Sequence, residues 1–298
     1  MNRNYIYLCI LIFMIIVSLL YPSVYNQIIS TYDLHKTSPS ISQYDLHKTS
    51  PSISTYDLHK DGICVIKNTL SDQEINILAK TQDYNQIKKQ IIYNPTIKQA
   101  ILTKTGQGYE FHDYIFIIKK SAIHTCHRDA NGSQFNELTH PSYTMILYLE
   151  NMDKCLGVIP QSHQTKHSLY LPNSVQDVLC KKGDILLFDA NLIHTGIILE
   201  TPHNLRIQMK ISHKDDIPNL AYYTNYNKIL DEPNTIPRVV QKWQQTASCM
   251  FPGISDYMQT DVKKTTTYKT DSDIPLHQRI FAYLFYGKSN YYNIANIY

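Results

Sequence analysis

The chain reads as mainly β, a sandwich or jelly roll with flanking helices, and three observations point there. Short apolar runs recur from about Tyr109 onward: YIFII at 114–118, YTMILYL at 143–149, ILLF at 185–188 and RIQMKI at 206–211. Gly, Pro, Asn and Asp punctuate them, as in Lys182-Gly183-Asp184, and short strands broken by such turns belong to closed or two-layered sheets. Ahead of them DGICVIKNTLSDQEINILAK predicts a strand over Ile63–Lys67 and then a helix. Ser71 with Glu74 three residues on forms a capping box for the otherwise orphan N–H groups at that helix start.

With 298 residues the chain is long enough for one large domain, our preferred reading, or two small ones. A net charge of +3, from 28 basic and 25 acidic residues, gives no electrostatic case for nucleic acid. The tyrosine-rich tail GKSNYYNIANIY reads as coding bias. Cys9 lies in an apolar run, and Cys64, Cys126, Cys155, Cys180 and Cys249 form no CxxC. Neither a zinc ribbon nor a thioredoxin-type pair is indicated; one or two disulfides are compatible with a lumenal domain, in a pairing the sequence does not reveal.

Residues 1–4 read as a cytosolic tip and YIYLCILIFMIIVSLLY at 5–21 as a transmembrane signal anchor, uncharged and apolar on every face, with Arg3 on its short side. A cleaved signal peptide is the competing reading, which would make the protein secreted. Residues 22–58 follow as a flexible stalk with a repeat of 12 residues, TYDLHKTSPSIS, QYDLHKTSPSIS and TYDLHKDGICVI, too poor in apolar residues for a core. Its histidines, His35, His47 and His59, are too far apart in a loose linker to suggest a metal site. The folded domain is expected over 59–213, with 214–298 as an extension packed on the barrel.

HTCHRDANGS at 124–133 carries the chemistry. Residues two apart on a strand share a face, so His127 and Asp129 point together and Arg128 turns away. An imidazole and a carboxylate are two adjacent metal ligands. His194, after the apolar strand in GDILLFDANLIHTG, is by position the third, completing the 2-His-1-carboxylate set that leaves three positions open on Fe(II). Arg206 opens RIQMKI, where Arg206, Gln208 and Lys210 share one face. On a strand antiparallel to that of His194, its guanidinium would pair bidentately with a carboxylate.

In this order the residues resemble the phytanoyl-CoA dioxygenase-like branch of the Fe(II)/2-oxoglutarate-dependent oxygenases. The resemblance covers roughly 60–213 and rests on GICVIKNTLSDQEI, HRD at 127–129, CLGVIPQSHQTKH at 155–167, GDILLFDANLIHTG at 183–196 and Arg206. In the third segment Gln161 stands where the family's Gly-x-x-x-x-Pro-Gly-Ser-His pattern has its second glycine. The resemblance implies a double-stranded β-helix of the cupin-like jelly-roll kind, with His127, Asp129 and His194 as iron ligands and Arg206 on the distal carboxylate of 2-oxoglutarate. It implies Fe(II), 2-oxoglutarate, dioxygen and ascorbate as cofactors and co-substrates, and a small-molecule or lipid-like substrate. Asp129, a carboxylate, favours hydroxylation over halogenation. The anchor would place this domain on the lumenal or extracytoplasmic side of a membrane.

Other readings stand beside this one. His124 competes with His127 as a ligand, although its neighbour at i+2 is Cys126. His163 either shapes a turn or borders the pocket, Asp184 is a turn residue, and Asp189 either braces the His194 segment or caps a loop; nothing is claimed for His140, His203 and His213. HRD is not a kinase loop, because Gln134 stands where that motif needs Asn. Asn131-Gly132-Ser133 is a sequon that a glycan would use only at the cost of crowding the metal. A catalytically inactive, membrane-tethered binding protein on the same β-fold is the alternative function, and a zinc hydrolase on a cupin-like barrel a weaker one. Oligomeric state leaves no mark in the sequence.

Overall fold

The computed structural model describes residues 56–120, 123–129, 138–165, 170–171, 174–198, 205–231, 233–252 and 276–287. The expected membrane anchor, most of the expected stalk, the Asn131 sequon, His203 and the tyrosine-rich tail lie outside them. Among the described residues no helix is long and apolar enough to cross a membrane.

A one-turn helix α1 (Leu58–Asp61) leads into strand β1 (Ile63–Ile66). Helix α2 (Asp72–Lys80) begins at the expected capping box: the Ser71 hydroxyl accepts from the Glu74 N–H, and the Glu74 carboxylate accepts from the Ser71 N–H. Two helices that periodicity had not revealed follow, α3 (Tyr84–Ile92) and α4 (Pro95–Thr105). Each has its own start signal. Asp83 accepts from the N–H groups of Asn85 and Gln86, and Asn94 caps α4 with Pro95 in the first turn.

The strands are β2 (Tyr109–Phe111), β3 (Tyr114–Ile118), β4 (Tyr143–Tyr148), β5 (Met152–Val158), β6 (Gln176–Cys180), β7 (Ile185–Asp189), β8 (His194–Gly196), β9 (Arg206–His213) and β10 (Tyr226–Leu230). The larger sheet runs β1-β7-β4-β9-β3-β10, with β2 also paired to β9; the smaller runs β6-β5-β8. The architecture is mainly β and cupin-like, as expected. Helices α5 (Arg238–Met250) and α6 (Leu276–Tyr286) complete it.

Strands β3, β4 and β7 are buried along their whole length because the larger sheet is covered on both faces. Ile117, Met145, Leu147, Leu187 and Met209 pack with Ile75, Ile91 and Ile101 of the helical layer. The alternate residues Ile146, Tyr148, Leu186 and Phe188 pack inward with Leu156, Val158 and Val178 of the smaller sheet. Each such side chain contributes about 1.5–3 kcal/mol on burial, which is why these runs are continuous rather than alternating.

Two expectations need correction. The strand bearing Arg206 is not antiparallel to that of His194: β9 pairs with β4, β3 and β2, whereas β8 pairs with β5. Strand β8 belongs to the smaller sheet and β9 to the larger, so the two residues stand on different sheets. The segment after residue 213 also does more than pack on the barrel. Its strand β10 joins the larger sheet, parallel to β3.

Candidate metal centre

His127 and His194 lie directly opposite each other. Each backbone N–H donates to the other's carbonyl at 3.0 Å, forming an isolated antiparallel bridge. HRD is therefore not part of a longer strand: its first residue pairs and Asp129 already sits in a turn. The expected convergence is nevertheless present. Asp129 Oδ1 is 3.8 Å from Nε2 of His127 and 3.8 Å from Nε2 of His194, and the two rings are 4.4 Å apart, tilted by 52°. All three residues are buried.

The tautomers follow from the backbone. His127 Nδ1 lies 2.8 Å from the Thr125 carbonyl and His194 Nδ1 3.0 Å from that of Leu192. A carbonyl only accepts, so both Nδ1 atoms donate, and the Nε2 lone pairs are aimed at the region beside Asp129 Oδ1. Two neutral imidazole nitrogens and one carboxylate oxygen from three residues form a set that fits a divalent cation.

The other carboxylate oxygen is occupied differently. Asp129 Oδ2 accepts from Thr144 Oγ1 at 2.6 Å, from Lys210 Nζ at 2.5 Å and from Gln208 Nε2 at 3.4 Å. Thr144 and Lys210 are cross-strand partners on β4 and β9, and Lys210 Nζ also donates to Thr144 Oγ1 at 2.7 Å. The Lys210 ammonium lies over the rings of Tyr114 and Tyr223 at 5.9 and 5.8 Å. Arg206, buried, opens β9 on the same face four residues away, roughly 13 Å along the strand. Thr144 was missed in the sequence because nothing marks it apart from a buried run. Lys210 carried a signal, a lysine on the same face as Arg206.

The competing residues are accounted for. His124 donates from Nε2 to Gln244 Oε1 and accepts at Nδ1 from Asn234, and burial pushes its pKa down to about 4; it takes no part in the triad. His163 donates to the His59 carbonyl and belongs to the turn at Gln161–Gln164. Asp184 accepts from the N–H groups of Asn68 and Lys181, tying the β6–β7 turn to the segment after β1. Asp189 accepts from the Asn191 N–H at 2.7 Å, capping the turn that delivers His194, and burial raises its pKa. Arg128 turns away to the Asn191 carbonyl.

A second group, His140, His213 and Asp215, also clusters. Its two rings are stacked at 3.8 Å and only 23° from parallel. Their in-plane lone pairs therefore run side by side instead of converging on an ion. Gln161, the departure from the family pattern, adopts φ +65°, the left-handed conformation that the replaced glycine would supply. The turn is retained. Ser162 Oγ accepts from the Ile193 N–H at 2.8 Å, next to His194.

Residues 79–198 match the family model described as phytanoyl-CoA dioxygenase. No curated protein matches the chain. Among solved structures, the apo non-heme monooxygenase ThoJ is similar at 16% identity and TM-score 0.42, over 53% of this chain and 78% of that one. HygX from Streptomyces hygroscopicus, with nickel and 2-oxoglutarate bound, is similar at 13% and 0.37, over 52% and 84%. AviO1 from Streptomyces viridochromogenes Tue57 stands at 14% and 0.42, over 52% and 91%. The family match supports an oxygenase-type enzyme. Over residues 79–198 the chain is thus similar to the phytanoyl-CoA dioxygenase family.

Proposed function

We propose that this protein is an Fe(II)/2-oxoglutarate-dependent dioxygenase that hydroxylates a small-molecule or lipid-like substrate while 2-oxoglutarate is decarboxylated to succinate. The carrying observation is the convergence of His127 Nε2 and His194 Nε2 on Asp129 Oδ1, with both Nδ1 atoms held by backbone carbonyls. Ferrous iron with 2-oxoglutarate would supply the oxidant for dioxygen-dependent hydroxylation.

The chain's own residues hold and shield that chemistry. His127, Asp129 and His194 would bind the ion on one side, leaving the other side for co-substrate and dioxygen. Arg206, buried on the inner face, would pair with the distal carboxylate of 2-oxoglutarate. Phe188, whose ring is 4.6 Å from that of His194, helps keep the ligand set dry. The proposal includes the N-terminal anchor at 5–21 and a domain outside the cytosol. Two disulfides, Cys126–Cys249 and Cys155–Cys180, support an oxidising compartment.

The test is an anaerobic titration of the purified chain with Fe(II) and 2-oxoglutarate, followed by the visible charge-transfer band of the chelate. His127→Ala and Asp129→Ala should abolish the band and substrate-coupled succinate formation; Arg206→Ala should keep metal binding and mainly weaken 2-oxoglutarate. Full activity in the first two variants would overturn the assignment.

A further inference from the structure

The two oxygens of Asp129 serve different partners. Oδ1 faces the two imidazoles, while Oδ2 is held by the Lys210 ammonium and the Thr144 hydroxyl, which are also bonded to each other. We propose that Lys210 is a positioning residue of this centre: it restricts Asp129 to one-oxygen ligation and cancels its charge, so that the site prefers a doubly charged chelating anion. The inference rests on the function proposed above and deepens it.

The argument is one of charge balance in a buried place. Lys210 and Asp129 are each 4% exposed. Two neutral imidazoles, one carboxylate and one ammonium sum to zero, so a divalent ion bound there keeps both its charges. With the buried Arg206 guanidinium also on this face, the loaded site is strongly cationic and draws in a dianion such as 2-oxoglutarate. Without the ammonium, one of the cations drawing the dianion in is lost, while a neutral ligand is held as before. Geometry points the same way. Strand β9 presents Lys210 at the ligand set and Arg206 four residues along the same face, so its two cations bracket the length over which a dicarboxylate would lie. The ammonium is itself fixed: Tyr114 stacks on Tyr226 at 4.4 Å and meets Tyr223 edge-on at 5.3 Å, and Tyr114 and Tyr223 both lie beneath Lys210.

The experiment loads the full chain with Co(II), follows its visible absorption, and titrates 2-oxoglutarate against imidazole as a neutral ligand. Lys210→Met should bind Co(II) at least as tightly as the parent, bind 2-oxoglutarate weaker by on the order of tenfold or more, and leave imidazole affinity unchanged. Lys210→Arg should retain the preference for the dianion. A merely structural lysine would weaken both ligands and the metal together; that result, or no change in either ligand, overturns the inference while leaving the proposed function intact. If Lys210→Met does not fold by circular dichroism, Lys210→Gln gives the same comparison. A parent protein that takes up no Co(II) overturns the function proposal and this inference with it.

Discussion

Cys126 and Cys249 are joined by a disulfide, which fastens the residue preceding His127 to the end of helix α5. The same helix holds the centre at three more points. Ser248 Oγ accepts from the Cys126 N–H at 2.9 Å, Gln244 Oε1 accepts from His124, and Gln245 Nε2 donates to Thr195 Oγ1 at 3.0 Å and to the Gly196 carbonyl at 3.1 Å. One helix thus grips both backbone segments that carry the histidines.

The two disulfides should separate cleanly in their effects. Cys126–Cys249 closes a separation of 123 residues and sits beside the candidate ligand His127, whereas Cys155–Cys180 closes 25 residues within the β5–β6 pair. Paired serine substitution of Cys126 and Cys249 should cost about 2–5 kcal/mol of stability and also weaken metal binding. The same change at Cys155 and Cys180 should lower stability while metal affinity stays as in the parent. Thermal melts alongside Co(II) titrations check both; equal metal affinity in the two variants would remove the clamp role from α5.

Acid should destabilise the domain well above the carboxylate range. His112, bonded through Nε2 to Ser212 Oγ, is pushed down to about 4 by burial and by the nearby Lys210 charge; His124 is pushed down to about 4 by burial. Both take up protons near pH 6.5 when unfolded but resist doing so when folded. The unfolded chain therefore binds more protons in this window, and stability is fully present above about pH 6.5 and lost as pH falls toward 4. The slope from these two groups approaches about 2.7 kcal/mol per pH unit. Urea unfolding at pH 7, 6 and 5 measures it. His112→Gln should flatten the dependence by about half.

Legibility followed the kind of signal each residue left. The strands in the larger sheet showed because burial on both faces demands continuous apolar runs, and the HxD pair with a later histidine showed because metal chemistry restricts residue types. The pairing of β8 was not legible: position along the chain does not say which layer a short strand joins, so the strand of Arg206 reads as a neighbour of that of His194 although the two stand in different sheets. Helices α3 and α4 were hidden because their apolar residues, such as Ile87, Ile91, Ile97 and Ile101, are interspersed with polar and charged ones in a short span. The contributions of Gln244, Gln245 and Ser248 left no signal at all. Glutamine and serine on a helix look like solvated residues until tertiary packing brings another segment against them.

The turn between β6 and β7 depends on Gly183. Its φ is +86°, and a Cβ there would lie 2.5 Å from Ile75 Cδ1 and 3.4 Å from the Leu70 carbonyl. Gly183→Ala therefore combines left-handed strain with a collision against a core isoleucine of α2, and should destabilise by about 2–3 kcal/mol. A chemical denaturation midpoint compared with that of the parent measures the loss. Metal affinity should remain near parental, because the turn lies on the helical side of the sheet.

Gln161 is the position where replacement should strengthen the protein. Its φ of +65° places a side-chain-bearing residue in the left-handed region, where a non-glycine residue costs about 1–2 kcal/mol. The fold holds it there through its neighbours: the Gln161 N–H donates to the Asp61 carbonyl at 3.0 Å, and Ser162 Oγ supports Ile193 beside His194. Gln161→Gly removes the backbone strain but adds freedom to the unfolded chain, which offsets part of the gain. The net expectation is a stabilisation of roughly 0.5–1 kcal/mol, with metal affinity unchanged because the turn already has the required shape. Gln161→Val, whose β-branch tolerates positive φ poorly, should destabilise and weaken the support of His194. Melting temperatures of the three proteins, read with their Co(II) titrations, order them as Gly above Gln above Val; Val as stable as Gln would show that the turn does not hold this conformation in solution.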